Sequence, residues 1–467
     1  MGKDGSFNTF SNSIFTHLKI VIIGAGEIGY DLASVLSKEK HDVTVLDRDK
    51  DSLTKAAETI DVLTIEGNAT SGKDLVRAGV SDADILIAVT SIDEVNMITA
   101  MMSKRLGAKT VIARVRSDEF ALPNAPLSPK DIGIDVMIHP ELSAAHEIAH
   151  LLKRSAASDV INLADNRMQL IGIRLEKQSP LLGKSLIDYA AMYPDFTFRV
   201  VAIGRRGLTI IPKGPVRMQA FDQIFVLAKT EDIPKIVETT GKEETELHRI
   251  MIAGGSAIGS MIARILCNDQ KKNWSIKLIE PDYETAEELA IELKNAMILH
   301  GNPTDPDLLA TEGINEMDAF IAVTDDEESN IISCLMAKHL DVRKTVALVS
   351  KPDFIPLSQT IGLDAVINKK VAASNEIHRY VRRGNVISVT ELRGIKAEVI
   401  ELQATEKSKI VGKEIQNLKL PDGCVVGGVL CDGSVEIATG GTVIHPNDRV
   451  MVFCMPEAID KVTQLFQ

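Results

Sequence analysis

Residues Lys19 to Gly29 read KIVIIGAGEIG, and Arg249 to Gly259 read RIMIAGGSAIG, the same glycine turn displaced by 230 positions (Gly24 to Gly254). Other landmarks return in the same order. Glu66-Gly67-Asn68-Ala69-Thr70 comes back as His300-Gly301-Asn302-Pro303-Thr304, and Ala88-Val89-Thr90 with Asn96 as Ala322-Val323-Thr324 with Asn330, both displaced by 234 (Gly67 to Gly301, Asn96 to Asn330). A fixed period carrying several landmarks makes the chain a tandem duplication, which constrains the fold more than any local propensity. Each half must supply an equivalent unit.

In the first half an apolar run, Leu18 to Ile23, ends at the glycines, and Ile28 to Leu36 then places apolar residues at helical spacing. Val43 to Leu46, Val62 to Ile65, Ile85 to Val89, Val111 to Val115 and Asp135 to Ile138 read as further strands. Helices such as Asp93 to Leu106 separate them, and Glu141 to Lys153 reads as a helix leaving the domain. This alternation predicts a doubly wound parallel sheet. From about Asn162 shorter alternating runs (Leu170 to Leu175, Val200 to Ile203, Leu208 to Ile211, Ile224 to Leu227) predict a small α+β domain. That domain is repeated too: Leu182-Gly183-Lys184 returns as Val411-Gly412-Lys413, and Asp222-Gln223-Ile224 as Asp448-Arg449-Val450.

The expected fold class is therefore α/β, with two tandem Rossmann-like domains, each followed by a small α+β domain. Residues 1–17 are read as a flexible leader, 18–155 and 247–383 as nucleotide-binding domains, and 156–240 and 384–467 as the small domains. Residues 241–246 form the linker within the polar stretch Thr239 to Glu246, and Arg382 to Asn385 is a shorter connection.

In the turn Gly24-Ala25-Gly26-Glu27-Ile28-Gly29 the first glycine permits a tight bend, the second lets backbone approach a pyrophosphate, and the third lets the helix pack on the strand. The helix start then offers N–H groups to the anion. Asp47, at the end of the second strand, is placed to accept ribose hydroxyls and to repel a 2′-phosphate, which favours NAD or another adenosine nucleotide over NADP. Thr90 and Ser91 follow a strand and fall at the carboxyl edge of the sheet, where open α/β folds bind ligands. Arg114 and Arg116 alternate on one face of the next strand and suit a phosphate. In the second half the turn is Gly254-Gly255-Ser256-Ala257-Ile258, Glu280 replaces the aspartate, and Leu348 and Ser350 replace both arginines. That pocket has lost cations, so binding there is expected to be weaker or of a different kind.

Several function classes are excluded. A net charge of −13 argues against nucleic acid as a partner. No stretch approaches eighteen uninterrupted apolar residues, so direct membrane insertion is not expected. Met1-Gly2 with Ser6 formally matches a myristoylation pattern, but the leader reads as a polar tail left out of the fold. Five cysteines, all in the second half and without a C-x-x-C, fit a reducing cytoplasm better than a disulfide framework. His146-Glu147-Ile148-Ala149-His150 is a literal H-E-x-x-H, yet the repeat turns the same helix into Asn375-Glu376-Ile377-His378-Arg379 without either histidine, so a zinc hydrolase is not expected. An NAD-dependent oxidoreductase is the alternative, since the fold carries that chemistry in many proteins. Against it, the small domains show no acid/base constellation to set over a nicotinamide.

From Leu18 onward the chain resembles the TrkA family, the peripheral cytoplasmic subunits of bacterial Trk potassium uptake systems. The resemblance rests on KIVIIGAGEIG, VLDRD, AVTSIDEVNM and IARVR in the first half and on RIMIAGGSAIG, LIEPD and AVTDDEESNI in the second. It implies two consecutive RCK (or KTN) units and a non-enzymatic regulator. It further implies a homo-oligomeric ring beneath a membrane-embedded potassium transport subunit, on the inner face of the plasma membrane, with NAD+/NADH or ATP/ADP as sensed ligands. The family's NAD-site pattern carries over onto Gly24, Ala25, Gly26, Glu27, Ile28, Asp47, Thr90, Ser91 and Arg114, and in the second half onto Gly254, Gly255, Ser256, Ala257, Ile258 and Glu280. Related single-unit regulators keep a glutamate after the last strand, a place Glu141 would fill here and Lys370 in the second half.

Overall fold

The computed structural model describes residues 17–117, 128–255, 257–351, 354–355, 361–381, 386–392 and 394–466. Ser256, the Arg382 to Asn385 connection and the leader up to residue 16 lie outside the described residues. The chain divides into two compact units, the first running to Met137 and taking in Ile459–Leu465 as well, the second holding Ile138–Ala458 with the last residues.

The first unit is built on alternating elements: β1 (Lys19–Ile23), α1 (Glu27–Lys38), β2 (Asp42–Asp47), α2 (Lys50–Thr59), β3 (Leu63–Glu66), α3 (Gly72–Arg77), β4 (Ile85–Ala88), α4 (Asp93–Leu106), β5 (Thr110–Arg114) and β6 (Val136–Ile138). The sheet order is β3-β2-β1-β4-β5-β6, with β1 to β5 paired in parallel. Helices cover both faces of such a sheet, which is why β4 is buried along its whole length and β1 is buried after its first residue. Asp49 and Ser71 cap α2 and α3 through the first free amides.

The second unit begins with α5 (Pro140–Lys153), whose start is capped by His139 Nδ1 accepting the Leu142 N–H at 3.0 Å. A five-stranded antiparallel sheet follows, β7 (Asp159–Leu163), β8 (Met168–Arg174), β9 (Phe198–Arg205), β10 (Leu208–Ile210) and β11 (Gln223–Lys229), in the order β10-β9-β11-β8-β7. The helix α6 (Leu186–Met192) lies between β8 and β9, and α7 (Ile233–Thr239) closes the segment.

The parallel architecture then returns as β12 (Arg249–Ala253), α8 (Ala257–Cys267), β13 (Ser275–Glu280), α9 (Tyr283–Glu292), β14 (Ala296–His300), α10 (Pro306–Thr311), β15 (Ala319–Ala322), α11 (Glu327–His339), β16 (Lys344–Val349), β17 (Ala365–Asn368) and α12 (Lys369–Val381). The sheet order is β14-β13-β12-β15-β16-β17, all parallel, the order of the first sheet over again. A second antiparallel sheet, β18 (Val386–Glu391), β19 (Glu398–Gln403), β20 (Cys424–Cys431), β21 (Ser434–Ile437) and β22 (Arg449–Cys454), is ordered β18-β19-β22-β20-β21, and α13 (Ile459–Thr463) follows.

Two of the apolar cores in the second unit join its sheets to one another. One joins α5 and the first antiparallel sheet to α8 and the second parallel sheet through Ile148, Leu151, Ile173, Ile224, Ile252 and Ile262. The other joins the two antiparallel sheets through Leu170, Phe225, Val399 and Phe453. The small sheets are thus packed on each other and on the second parallel domain.

Several sequence expectations shift in detail. The strand β7 was not foreseen, because Asp159 and Asn162 interrupt its apolar pattern; Asp159 is nevertheless buried opposite Gly172. Helix α6 carries a legible signal, the Ser185/Asp188 capping box. The polar stretch Thr239 to Glu246 is buried at its start and pinned by hydrogen bonds farther on, while Gly241, Glu243, Thr245 and Glu246 are exposed. Thr239 and Thr240 are buried, Glu244 Oε2 lies 3.2 Å from Arg154 Nη1, and the Thr245 N–H donates to Ser155 Oγ at 2.9 Å.

Ile148 is fully buried in the core that α5 shares with α8. Ile148→Ala is expected to cost about 2–5 kcal/mol, seen as a lower urea midpoint for the unit containing the second parallel sheet. An unchanged midpoint would mean that α5 does not belong to that core.

Candidate functional site

Gly24 leaves β1 with φ +106°, and a Cβ on it would come within 3.1 Å of the Thr90 amide nitrogen at the end of β4. Its own N–H donates to Leu46 O at 2.9 Å. The third glycine is more constrained, since a Cβ on Gly29 would stand 1.8 Å from the Gly24 carbonyl oxygen. Gly26 is under neither demand. It has φ −65°, and nothing lies within 4 Å of where its Cβ would be. Packing therefore does not require that glycine, and the space above it is open. No side chain caps α1, so the N–H groups of its first turn face that space.

Asp47 ties the turn to β2. Its Oδ2 accepts the Ala25 N–H at 2.5 Å and its Oδ1 accepts the Asp49 N–H at 2.9 Å. A carboxylate offers about four lone-pair sites, so two amides leave capacity for further donors. Ala25 and Ile28 are buried beneath the turn, while Glu27 is exposed.

At the other lip the fully buried Asn96 holds three chain segments together. Its Oδ1 accepts the Thr90 N–H at 2.9 Å and hydroxyl at 2.7 Å, and its Nδ2 donates to Thr90 O at 3.1 Å and to Arg114 O at 2.9 Å. Asn96 was legible only as a repeated landmark. The structure makes it the brace that sets Thr90 and the backbone of Arg114 at the carboxyl edge. Arg116 is engaged by the loop after β4. Its Nε lies 3.1 Å from Asp93 Oδ1 and its Nη2 donates to Ser91 O at 2.6 Å. An open groove of about 690 Å³, lined by Arg48, Glu66, Gly67, Asp74 and Arg77 among others, lies at the ends of β2 and β3. Arg48, directly after Asp47, was not singled out from the sequence.

The second half rebuilds this geometry with one compensated exchange. Gly254 has φ +104°, and Gly259 would meet the Gly254 carbonyl at 1.8 Å. Glu280 Oε2 accepts the Gly255 N–H at 2.8 Å and Oε1 the Asp282 N–H at 2.9 Å, matching Asp47 bond for bond. The extra methylene of glutamate needs room. A Cβ at Gly255 would lie 3.0 Å from Glu280 Cβ and 2.7 Å from Leu278 Cδ2, so alanine at 25 becomes glycine at 255. Ile258 is buried and Ala257 exposed, as Ile28 and Glu27 are. Asn330 repeats the Asn96 brace, accepting from Thr324 N–H at 3.0 Å and donating to Thr324 O at 2.9 Å and Leu348 O at 3.1 Å.

Leu348 does remove the Arg114 cation, but the loop cation is displaced by one residue rather than lost. Lys351 Nζ lies 3.0 Å from Glu327, which occupies the place of Asp93. The last-strand positions also differ in kind. Glu141 is buried in the first turn of α5, while the Lys370 N–H donates to Asn368 Oδ1 at 2.9 Å. His146 and His150 are exposed on α5, and no group of three or more possible metal-ligating side chains occurs among the described residues. Partial desolvation of the ring, exposed though the residue is, holds His150 below the usual histidine range, with help from Lys153 and His146.

Comparison with known proteins converges on one family. The TrkA-N domain matches residues 20–140 and 250–369, and the TrkA-C domain residues 170–241 and 399–467. "Trk system potassium uptake protein TrkA homolog 2" of Methanosarcina mazei is 34% identical over 458 residues, covering 96% of this chain and 100% of the relative. TrkA of Vibrio alginolyticus is 34% identical, covering 96% of this chain and 99% of its own. The chain belongs to the TrkA family. Among solved structures, the GsuK RCK domain shares the fold at a TM-score of 0.61 and 17% identity, over 97% of this chain and 95% of that one. The GsuK channel bound to NAD follows at 0.60, over 97% and 79%. TrkA relatives carry the names of potassium uptake proteins, not of enzymes, and the chain is a non-enzymatic member; the oxidoreductase alternative is set aside. No helix among the described residues is long and apolar enough to cross a membrane.

The two glycines of the first TrkA-N turn should separate cleanly by denaturation. Gly29→Ala is expected to destabilise by on the order of 3 kcal/mol, and Gly26→Ala by less than about 0.5–1 kcal/mol. Equal losses would show that Gly26 is a packing residue after all.

Proposed function

We propose that this chain is the nucleotide-binding regulatory subunit of a Trk-type potassium uptake system. In this reading it works as a homo-oligomeric ring on the cytoplasmic side of the plasma membrane and gates a membrane-embedded transport subunit. The observation that carries the reading is the duplicated glycine turn with a carboxylate bound to an amide of the turn in each half, and an uncapped helix start in the first, in a chain aligned over nearly its whole length with TrkA relatives.

The domain limits follow the repeat: binding domains at 18–155 and 247–383, small domains at 156–240 and 384–467. In the first site NAD+/NADH or ATP/ADP would set its pyrophosphate over Gly24 to Ile28, its ribose on Asp47, and its remaining charge near Thr90, Ser91 and Arg114. The second site, Gly254 to Ile258 with Glu280, lacks the Arg114 cation and would bind differently. Solved GsuK structures bound to NAD and to ADP support nucleotides as the ligand class.

A ligand moves a two-state assembly only through its differential affinity for the two states. Occupancy alone therefore explains nothing. Discrimination between ligands by phosphate charge or nicotinamide redox state falls to Asp47, Arg114 and the Gly24 turn, and the resulting change in packing between units would be what gates the partner.

Potassium uptake at low external potassium, in cells lacking this gene, tests the reading. The wild-type chain should restore uptake, and Asp47→Arg, expressed and folded to the same level, should not. Arg114→Ala should assemble normally yet lose nucleotide control of transport, and Gly26→Ala should weaken nucleotide binding while keeping its fold. Uptake unaffected by deletion of the gene and of any second copy would overturn the assignment.

A further inference from the structure

Outside both glycine turns, the second unit encloses a cavity of about 1000 Å³ between the first antiparallel sheet and the second parallel domain. Six cations line it, Arg174, Arg205, Arg206, Lys242, Lys338 and Lys344, in a chain whose net charge is −13. Three acids line it as well. Asp222 takes Arg205 in a two-pronged pair at 2.7 Å for each bond, Asp364 takes Lys338, and Glu176 lies 3.8 Å from Lys242. The cations still outnumber the lining acids two to one.

Lys344 is only 1% exposed, and its Nζ donates to Ser155 O at 3.1 Å and to Ala157 O. Burial draws Lys344 down to about 8 and lowers Lys242 as well, while it pushes the neighbouring Asp159 up to about 8. Positive groups held partly desolvated around an open volume are poised for an incoming anion.

The aromatic at the mouth identifies what the anion is attached to. Phe221 is 48% exposed and held at φ +68°, with the Arg174 guanidinium 5.4 Å and the Lys177 ammonium 5.9 Å from its ring centroid. Bulky residues avoid that backbone region, and strained positions of this kind collect at ligand clamps. The repeat supplies an internal control. The same turn in the second half holds Asn447 at φ +73°, with the amide bonded alike: Phe221 N–H to Leu175 O and Asn447 N–H to Ala404 O, both 2.8 Å. Asparagine tolerates this conformation, and phenylalanine does not. Around Asn447 the residues in the places of Arg174, Arg205 and Arg206 are Gln403, Cys431 and Asp432. The strained aromatic and these three arginines thus occur together in one half and not in the other, where Arg449, in the place of Gln223, is paired with Glu401 and Asp165.

We propose that this cavity is a third nucleotide site, with phosphates held by Arg174, Arg206, Lys242 and Lys344 and the base stacked on Phe221. A volume of about 1000 Å³ suits a nucleoside di- or triphosphate. A bound nucleotide would bridge the first small sheet to the second parallel domain, a place separate from both glycine turns.

Photolabelling of the full-length chain with 8-azido-ATP, followed by peptide mapping, tests this. Label should appear in the peptide carrying Phe221, apart from label near Gly24 or Gly254, and excess ATP or inorganic triphosphate should remove it. In Phe221→Asn with Arg206→Gln the cavity label should fall about tenfold or more, the loss expected for a missing stacking platform, while the glycine-turn label persists. Phe221→Asn alone, which copies the second half, should leave the melting temperature unchanged or raised. Label confined to the glycine-turn peptides, or cavity label unchanged in the double variant, would overturn the site without touching the glycine-turn reading. Loss of label at the glycine turns alone would do the reverse.

Discussion

A carboxylate at the end of the second strand holds the glycine turn in both halves, and the remaining site geometry depends on that bond. Asp47 reaches Ala25 and Asp49; Glu280 reaches Gly255 and Asp282. With the turn fixed, Gly29 and Gly259 can approach the Gly24 and Gly254 carbonyls, and α1 starts without a side-chain cap at the carboxyl edge of the sheet. A buried asparagine completes the opposite lip in each half. Such a fully satisfied buried polar group specifies one arrangement, because any other leaves several donors and acceptors unpaired.

The duplication makes the differences between the halves interpretable. Aspartate to glutamate at the strand end comes with alanine to glycine in the turn, which keeps the bond and conserves the space. The Asp93 to Arg116 pair becomes Glu327 to Lys351, again keeping a contact while shifting its cation by one residue. Arg114 to Leu348 and Glu141 to Lys370 instead change the charge carried at their positions. Such exchanges change what a pocket holds rather than how it folds, so the two turns are built alike and charged differently. The same comparison isolates Phe221 with Arg174, Arg205 and Arg206, whose places around Asn447 hold other residues.

Much of the architecture could be read from the chain because parallel strands buried on both faces leave continuous apolar runs, and helices between them leave periodic ones. Helix α4 and the alternation of strands and helices along each parallel domain follow from that signal, and the repeat doubles it. Strand β7 escaped because its buried Asp159 imitates a loop residue, and the packing of Thr239 to Glu246 escaped because polar composition alone cannot reveal partners such as Arg154. At the site, residue types and spacing pointed to Gly24, Asp47 and Thr90. They could not tell a cation facing a ligand from one paired with its neighbour, which is where Arg116 and Lys351 depart from expectation. The cavity beside Phe221 is assembled from several separate segments between Ser155 and Gly394, so no local pattern announces it.

The unequal pair of nucleotide sites is best tested by hydrogen–deuterium exchange across a titration of NADH, because each glycine turn reports separately. Protection of the peptide spanning Gly24 to Asp47 should saturate at lower NADH than protection of the peptide spanning Gly254 to Glu280. Identical midpoints at the two turns, or no protection at the first, would contradict it.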